Sequence, residues 1–519
     1  ANNNTAVGYK ALLKNTTGSG TAVGYHALSG NTTGAGNSAF GFDALQANTS
    51  GSNNHAFGNY ALLHNTTGDG NVAMGIYSLK SNTSGGSNVA VGNYSLNLNA
   101  TGGNNTAIGF YALGKNTASD GTAVGISALK ENTTGAQNTA VGANALEKNT
   151  TGNANTASGY NALNFNQTGH HNAATGYRAL KNNTTGNANT AVGSSALEIN
   201  TTGDENTAVG SNALEKNNNG THNTATGHDA LRDNSSGNQN TAIGHNALKL
   251  TNASTNTAVG KDALTLNVSG QYNTATGAYS LETSTGNNNT AFGHRAGRNL
   301  STGHANVYIG YETYASAGNV QNEVVIGYAL TGAGTNTVSI GNTSITAIKG
   351  QVAFSTYSDE RIKRNINDSK LGLDFIMKLR PVTYKMKNPA DYPNELLEAR
   401  FRDVPGNGPF VGEFERPADD ENTYDGLIAQ EVKEAMDEVG VNWSGWSKNE
   451  SDGKEGVQYG ALTIPLIKAI QEQQKLIEKL EARIIELENS RQKWWILISL
   501  LTLLTYEKGI IICFINFYL

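Results

Sequence analysis

Small, apolar and turn-forming residues recur along the first two thirds of this chain with a period of 16 or 17. The tetrad Thr5-Ala6-Val7-Gly8 returns as Thr21-Ala22-Val23-Gly24, Ser38-Ala39-Phe40-Gly41 and His55-Ala56-Phe57-Gly58. It continues to Thr290-Ala291-Phe292-Gly293, Val307-Tyr308-Ile309-Gly310 and Val324-Val325-Ile326-Gly327. The tetrad glycine occurs 20 times at spacings of 16 or 17, and a divergent copy, Val338-Ser339-Ile340-Gly341, follows after 14. The full unit reads T-A-Φ-G-x-x-A-L-x-x-N-T-T-G-x-x-N, where Φ is apolar. T-A-Φ predicts a short strand, Leu12, Leu28, Leu45 and Leu62 begin a column of one large apolar side chain per unit, and N-T-T-G predicts a turn with positive φ at Asn or Gly. One unit buries only an Ala, a Val and a Leu, so it cannot fold alone. Stacked copies share a thin continuous core, with Asn and Thr ladders between rungs. The expected fold is mainly β: a parallel β-solenoid or β-roll over residues 1–345. The A-L-x-x-N segment leaves a helical turn open as the rival. Disorder is disfavoured, because a solvated linker has no reason to keep apolar positions in register through 20 copies.

Composition sharpens the boundary. Of 519 residues 61 are Gly, 7 Pro and 1 Cys, and 37% are hydrophobic. Residues 1–350 hold 15 basic and 15 acidic side chains, residues 351–519 hold 21 and 27, and every Pro and Trp lies from Pro381 onward. Two parts of different character therefore meet near residues 345–357. Glycine without a three-residue period excludes collagen, one Cys excludes a disulfide scaffold, and a net charge of -6 gives no case for nucleic-acid binding.

The repeats carry no visible chemistry. Their few acids scatter over variable positions, so a polysaccharide-cleaving pair of carboxylates is not expected; Asp204-Glu205 is the nearest approach. Calcium-binding turns would need an acid in every unit. Glycosylation sequons and a threonine ice-binding array are weaker readings of the same turn and strand chemistry. The ten His, His170 and His171 among them, vary in position and suggest neither a metal site nor a cofactor.

The second part begins F-S-T-Y-S-D-E-R-I-K-R-N-I. Its pattern predicts a short leading strand, a helix near 370–379, strands near 382–386 and 427–429, helices over 430–439 and from 462 through 489, and an acidic Pro/Gly-rich insertion at 388–421. No His follows residue 350, so a Ser nucleophile here would need a Lys as its base, a workable pair where the amine is neutral. By themselves, Ser358 to Lys363 read as a charged helix start with Ser358 as N-cap.

Four stretches change that reading: S-D-E-R-I-K-R-N-I at 358–366, L-R-P-V-T-Y-K at 379–385, G-L-I-A-Q-E-V at 426–432 and Y-G-A-L-T-I-P-L-I-K-A-I-Q-E-Q-Q at 459–474. In this order they resemble the endosialidase-type intramolecular chaperones, self-cleaving C-terminal domains of phage tail spikes and fibres. The resemblance implies a small α+β chaperone and autopeptidase domain over 358–460, with 346–357 as linker and cleavage region. It further implies homotrimeric assembly and a Ser–Lys dyad of Ser358 and Lys363 acting only on the chain itself. The scissile bond would be Tyr357–Ser358, with Ser358–Asp359 as the alternative. No cofactor is implied.

Leu466, Ile470, Gln473, Ile477, Leu480, Ile484 and Leu487 alternate spacings of 4 and 3, a coiled-coil seam expected over 461–493. Ile at a and Leu at d favour two strands, against the trimer that the resemblance implies; three heptads tethered to a trimeric shaft should follow the shaft. The tail 494–519 is apolar but broken by Glu507-Lys508-Gly509, making it a marginal membrane segment. The chain begins within the repeat rhythm, so a preceding attachment region is expected. The combined expectation is a tail fibre of a virion, or an extracellular adhesin, that binds a host-surface receptor or glycan. The alternatives are a bacterial trimeric surface adhesin that retains the C-terminal domain, and a membrane-tethered protein released by self-cleavage.

Overall fold

Each tetrad forms a strand, and each strand pairs with the next one along the chain. The computed structural model describes residues 3–345, 348–349, 358–388, 391–393, 396, 421–448 and 453–507. It divides into two compact units, Ala1–Asn342 and Thr343–Leu519. In the first, β1 (Asn4–Val7) through β21 (Val338–Ile340) make one sheet of 21 strands. Pairing is parallel and keeps equivalent residues level, for example Thr190 with Thr207, Ala191 with Ala208 and Val192 with Val209. A parallel β-solenoid results, with no helix among the described residues of this unit. The A-L-x-x-N segments are turns: Leu28 and its equivalents sit in the left-handed region (φ 53° at Leu28), which a helix does not allow.

The core is thinner than the pattern suggests. Three columns are fully buried: the strand Ala (Ala22, Ala39), the turn Ala (Ala27, Ala44) and the turn Leu (Leu28, Leu45). The Φ residue is not among them. Strand alternation points Ala inward and therefore Φ outward, so Phe57, Met74, Ile108 and Ile243 are exposed. The inward space is completed by two columns of buried Asn. In the first, Asn183 Nδ2 donates to Asn166 Oδ1 (2.8 Å) and Gly186 O (2.9 Å), and Asn200 Nδ2 donates in turn to Asn183 Oδ1 (2.8 Å). In the second, the backbone N–H of Asn206 donates to Asn189 Oδ1 (2.9 Å). Thr hydroxyls also bridge rungs, as Thr32 Oγ1 does to Thr49 O (2.8 Å). Replacing Asn183 with Ala leaves Asn166 Oδ1 without its donor in a dry column, and it removes one bond each from the Gly186 carbonyl, which keeps Asn172 Nδ2, and from Asn200 Nδ2, which keeps Gly203 O. A loss of about 2–4 kcal/mol is expected in denaturant titration of the shaft.

Positive φ also falls elsewhere than the turn chemistry predicts. The N-T-T-G glycines (Gly51, Gly68) are needed for space: a Cβ on Gly51 would lie 2.5 Å from Gly68 O and 2.6 Å from Asn48 Oδ1. The tetrad glycines from Gly8 to Gly310 are held at φ between +126° and +142°, and their preceding partner in the ladder is Φ, as in Gly193 N–H to Thr175 O (2.8 Å).

The last turns differ. Tyr308 replaces the strand Ala, and Gly297 stands where other rungs have Leu; a Cβ there would meet Tyr308 Cδ2 at 2.6 Å. Glu323 closes the second Asn column. It is fully buried, and its carboxylate accepts from Tyr308 Oη (3.1 Å), Ser316 N–H (3.2 Å) and Gly334 N–H (2.9 Å). Burial, then the neighbouring Glu323 charge, raise the Tyr308 phenol above its ordinary value, so it stays a donor.

The second unit has helices α1 (Leu373–Lys378), α2 (Ala429–Val439) and α3 (Thr463–Glu507) and two antiparallel hairpins, β22 (Val382–Tyr384) with β23 (Tyr424–Gly426) and β24 (Trp446–Lys448) with β25 (Glu455–Val457). Its core is Phe375, Val432, Ala435, Met436 and Trp443, with Phe375 edge-on to Trp443 at 5.7 Å. The second strand lies at 424–426 rather than 427–429, and most of the 388–421 insertion falls outside the described residues. α3 does not stop at Asn489: no Gly or Pro interrupts the sequence from Leu466 to Glu507, and the helix continues to Glu507. No described helix is long and apolar enough to cross a membrane, and residues 508–519 of the tail lie outside the described residues.

Candidate active site: a Ser–Lys pair at the head of the chaperone domain

Residues 358–366 are charged and exposed, and they form less helix than their composition suggests. Only a single 3-10 turn, Glu360–Ile362, is present, and its N-cap is Asp359, not Ser358. Asp359 Oδ1 accepts the Arg361 backbone N–H (2.9 Å), and the Arg361 guanidinium grips the same carboxylate through Nε (3.0 Å) and Nη2 (2.5 Å). That side-chain grip, then the backbone bond, hold the Asp359 carboxyl below the usual carboxylate range. With its charge occupied by Arg361, Asp359 offers Ser358 no bond.

Ser358 is thereby left to Lys363. The turn ends at Lys363, whose backbone returns to an extended conformation (φ -103°, ψ 150°). Its side chain folds back across the turn, and Nζ donates to Ser358 Oγ at 2.7 Å. This is the reach a general base needs. Catalysis requires the reverse polarity, with a neutral amine accepting the hydroxyl proton. Tyr357, the residue expected on the other side of the scissile bond, lies outside the described residues.

The remaining stretches singled out in the sequence converge on one another. β22 from the second pairs with β23, which runs into the third. Arg380 and Glu431 form an ion pair between the second and third, and the Leu427 N–H donates to Tyr459 Oη (2.9 Å), joining the third to the fourth. Glu472 of α3 accepts the Leu373 N–H at the start of α1 (2.8 Å), and Lys378 of α1 pairs with Glu438 of α2 (2.9 Å). The first stretch differs: among the described residues, the hydrogen bonds of 358–366 reach no further than Asn367. The pair is assembled, and both its members are exposed among the described residues.

Residues 358–441 match the family model described as chaperone of endosialidase. The matched chaperone domain opens on Ser358 itself and ends just past α2, so β24, β25 and α3 lie beyond it. No curated protein and no solved structure matches the chain. A long β-solenoid followed by an endosialidase-chaperone domain fits a fibre-like protein with a chaperone domain. The Asp359–Arg361 clamp, the Tyr459 hydroxyl and the Glu472 cap were not foreseen from sequence. Only the first has a local signal, opposite charges two residues apart; the others join residues 32 and 99 positions apart. Among the described residues, no cluster of three or more His, Cys, Asp or Glu could hold a metal.

Proposed function

We propose that the chain is the subunit of a homotrimeric fibre or adhesin whose C-terminal domain drives assembly and then severs itself at Tyr357–Ser358. Supporting this reading is the 2.7 Å approach of Lys363 Nζ to Ser358 Oγ at the first residue of the family match. In the reaction, neutral Lys363 takes the Ser358 hydroxyl proton as Oγ attacks the Tyr357 carbonyl carbon. The C–N bond breaks as that proton passes to the departing Ser358 amine, leaving an ester between Tyr357 and Oγ. Water then hydrolyses the ester, restoring the hydroxyl and freeing the Tyr357 carboxylate. Both members of the pair are exposed among the described residues of one chain. Burial between copies favours the neutral amine, which ties cleavage to completed assembly.

The seam of α3 supports assembly. Leu466, Ile470, Ile477, Leu480, Ile484 and Leu487 are all exposed along a 45-residue helix, as coiled-coil positions are before their partners arrive. The released shaft would serve on a virion or cell surface and engage a host-surface receptor or glycan. Intact-mass measurement of purified protein should find fragments of 357 and 162 residues, and the native mass should be that of a trimer. Persistent full-length chain in a trimer would remove self-cleavage and favour a retained domain.

A further inference from the structure

The outward side of the shaft sheet carries no Lys, Arg, Asp or Glu from end to end, and His55 is its single titratable side chain. Alternation places the first and third residues of each T-A-Φ strand outward, giving two rows that run the length of the sheet. None of these positions in the 21 strands is Lys, Arg, Asp or Glu. The 30 charged residues of positions 1–350 all lie elsewhere. The third position is apolar in 17 of the 21 strands, and its side chains stand in solvent: Val141 is 43% exposed, Ile243 42% and Phe292 61%. Neighbouring rungs stack in step, as Phe40 and Phe57 do at 5.0 Å.

Charge depletion around an apolar row marks surface that is covered in the working assembly. The occupant is constrained by geometry. Twenty-one strands at about 4.8 Å make a face about 100 Å long, so a partner must present a flat, uncharged row of similar length and spacing. A second shaft of the same sequence does so. On the order of 1,000 Å² per copy would be covered, which is the scale of a stable interface.

We infer that this face is where copies of the chain meet, parallel and in register, with the Φ row lining the common axis. The inference rests on the trimeric reading above and adds which surface is used. About an axis parallel to the shafts, equivalent residues lie at the same height, so each Φ residue meets its own counterparts.

The test uses the full chain with Cys513→Ser as background, so that each introduced thiol stands alone. Val141→Cys and Ile243→Cys place a thiol in the Φ row, and Thr151→Cys places one on an exposed N-T-T-G turn. Each purified protein is treated with a short bismaleimide and run on a denaturing gel, alongside its native mass. The two face positions should link most chains covalently, with at least tenfold less linkage at Thr151. A multimeric native mass with linkage only at Thr151, equally at all three positions, or at none would overturn this interface while leaving the trimer standing. A monomeric native mass would overturn both.

Discussion

A Gly176→Ala substitution is expected to break the shaft into two blocks that melt separately. Gly176 lies at φ +134°, where an L side chain is strained, and its Cβ would come 2.4 Å from Gly193 O and 2.7 Å from Gly193 C. Those atoms are backbone of the next rung and cannot rotate aside as a side chain could. Relief requires the two rungs to separate, and this sacrifices bonds such as Gly193 N–H to Thr175 O (2.8 Å). Strain and lost pairing together amount to about 3–5 kcal/mol. In a stack stabilised only by neighbours this falls on one interface, so cooperativity fails there and not globally. Calorimetry should show two transitions, and limited proteolysis should cut near residue 176. Tyr177→Ala is the control: it removes an exposed ring stacked on Tyr160 at 5.7 Å and should cost under about 1 kcal/mol. A single transition at the wild-type temperature in Gly176→Ala would refute the argument.

Ser358→Ala is expected to abolish the 357- and 162-residue fragments and leave a 519-residue chain in a trimer. The methyl side chain keeps the local backbone but has no oxygen to form the ester. Lys363→Arg is the more discriminating change. Arginine keeps the positive charge and can still donate to Ser358 Oγ, but it does not give up a proton in proteins and cannot serve as base. If Lys363 acts as the base, its replacement should slow cleavage by at least a thousandfold, followed by intact mass over days, while the native mass stays trimeric. Wild-type cleavage in Lys363→Arg would assign Lys363 a positioning role, and cleavage in Ser358→Ala would move the nucleophile elsewhere.

The repeats were legible because their period, their buried Ala and Leu and the parallel register all follow from one spacing maintained through 20 copies. Which apolar residue faces inward was not. Val141 and Val192 look like core by composition, yet alternation from Ala140 and Ala191 places them outside, and those strand neighbours fill the thin interior instead. The backbone at Leu28 was also hidden, since Leu rarely adopts positive φ and nothing local announces it; the neighbouring rungs impose it. In the second unit, Ser358 and Lys363 were legible through the motif, whereas Asp359 displaced Ser358 as N-cap because Arg361 holds its carboxylate over the turn. The long-range bonds from Tyr459 and Glu472 depend on packing of distant segments, which no local pattern encodes.

Near-identical rungs create a counting problem. Thr190-Ala191-Val192 would pair with Thr224-Ala225-Thr226 nearly as well as with its true neighbour, so a growing stack could skip a rung at little cost. Tyr308, Gly297 and Glu323 cannot be skipped: the ring needs the space left by Gly297, and the carboxylate needs Tyr308 Oη, Ser316 N–H and Gly334 N–H together. They supply a unique address at the C-terminal end of the shaft. A shaft that zips from that end inherits its numbering from one unambiguous start, and every strand after it is placed by count.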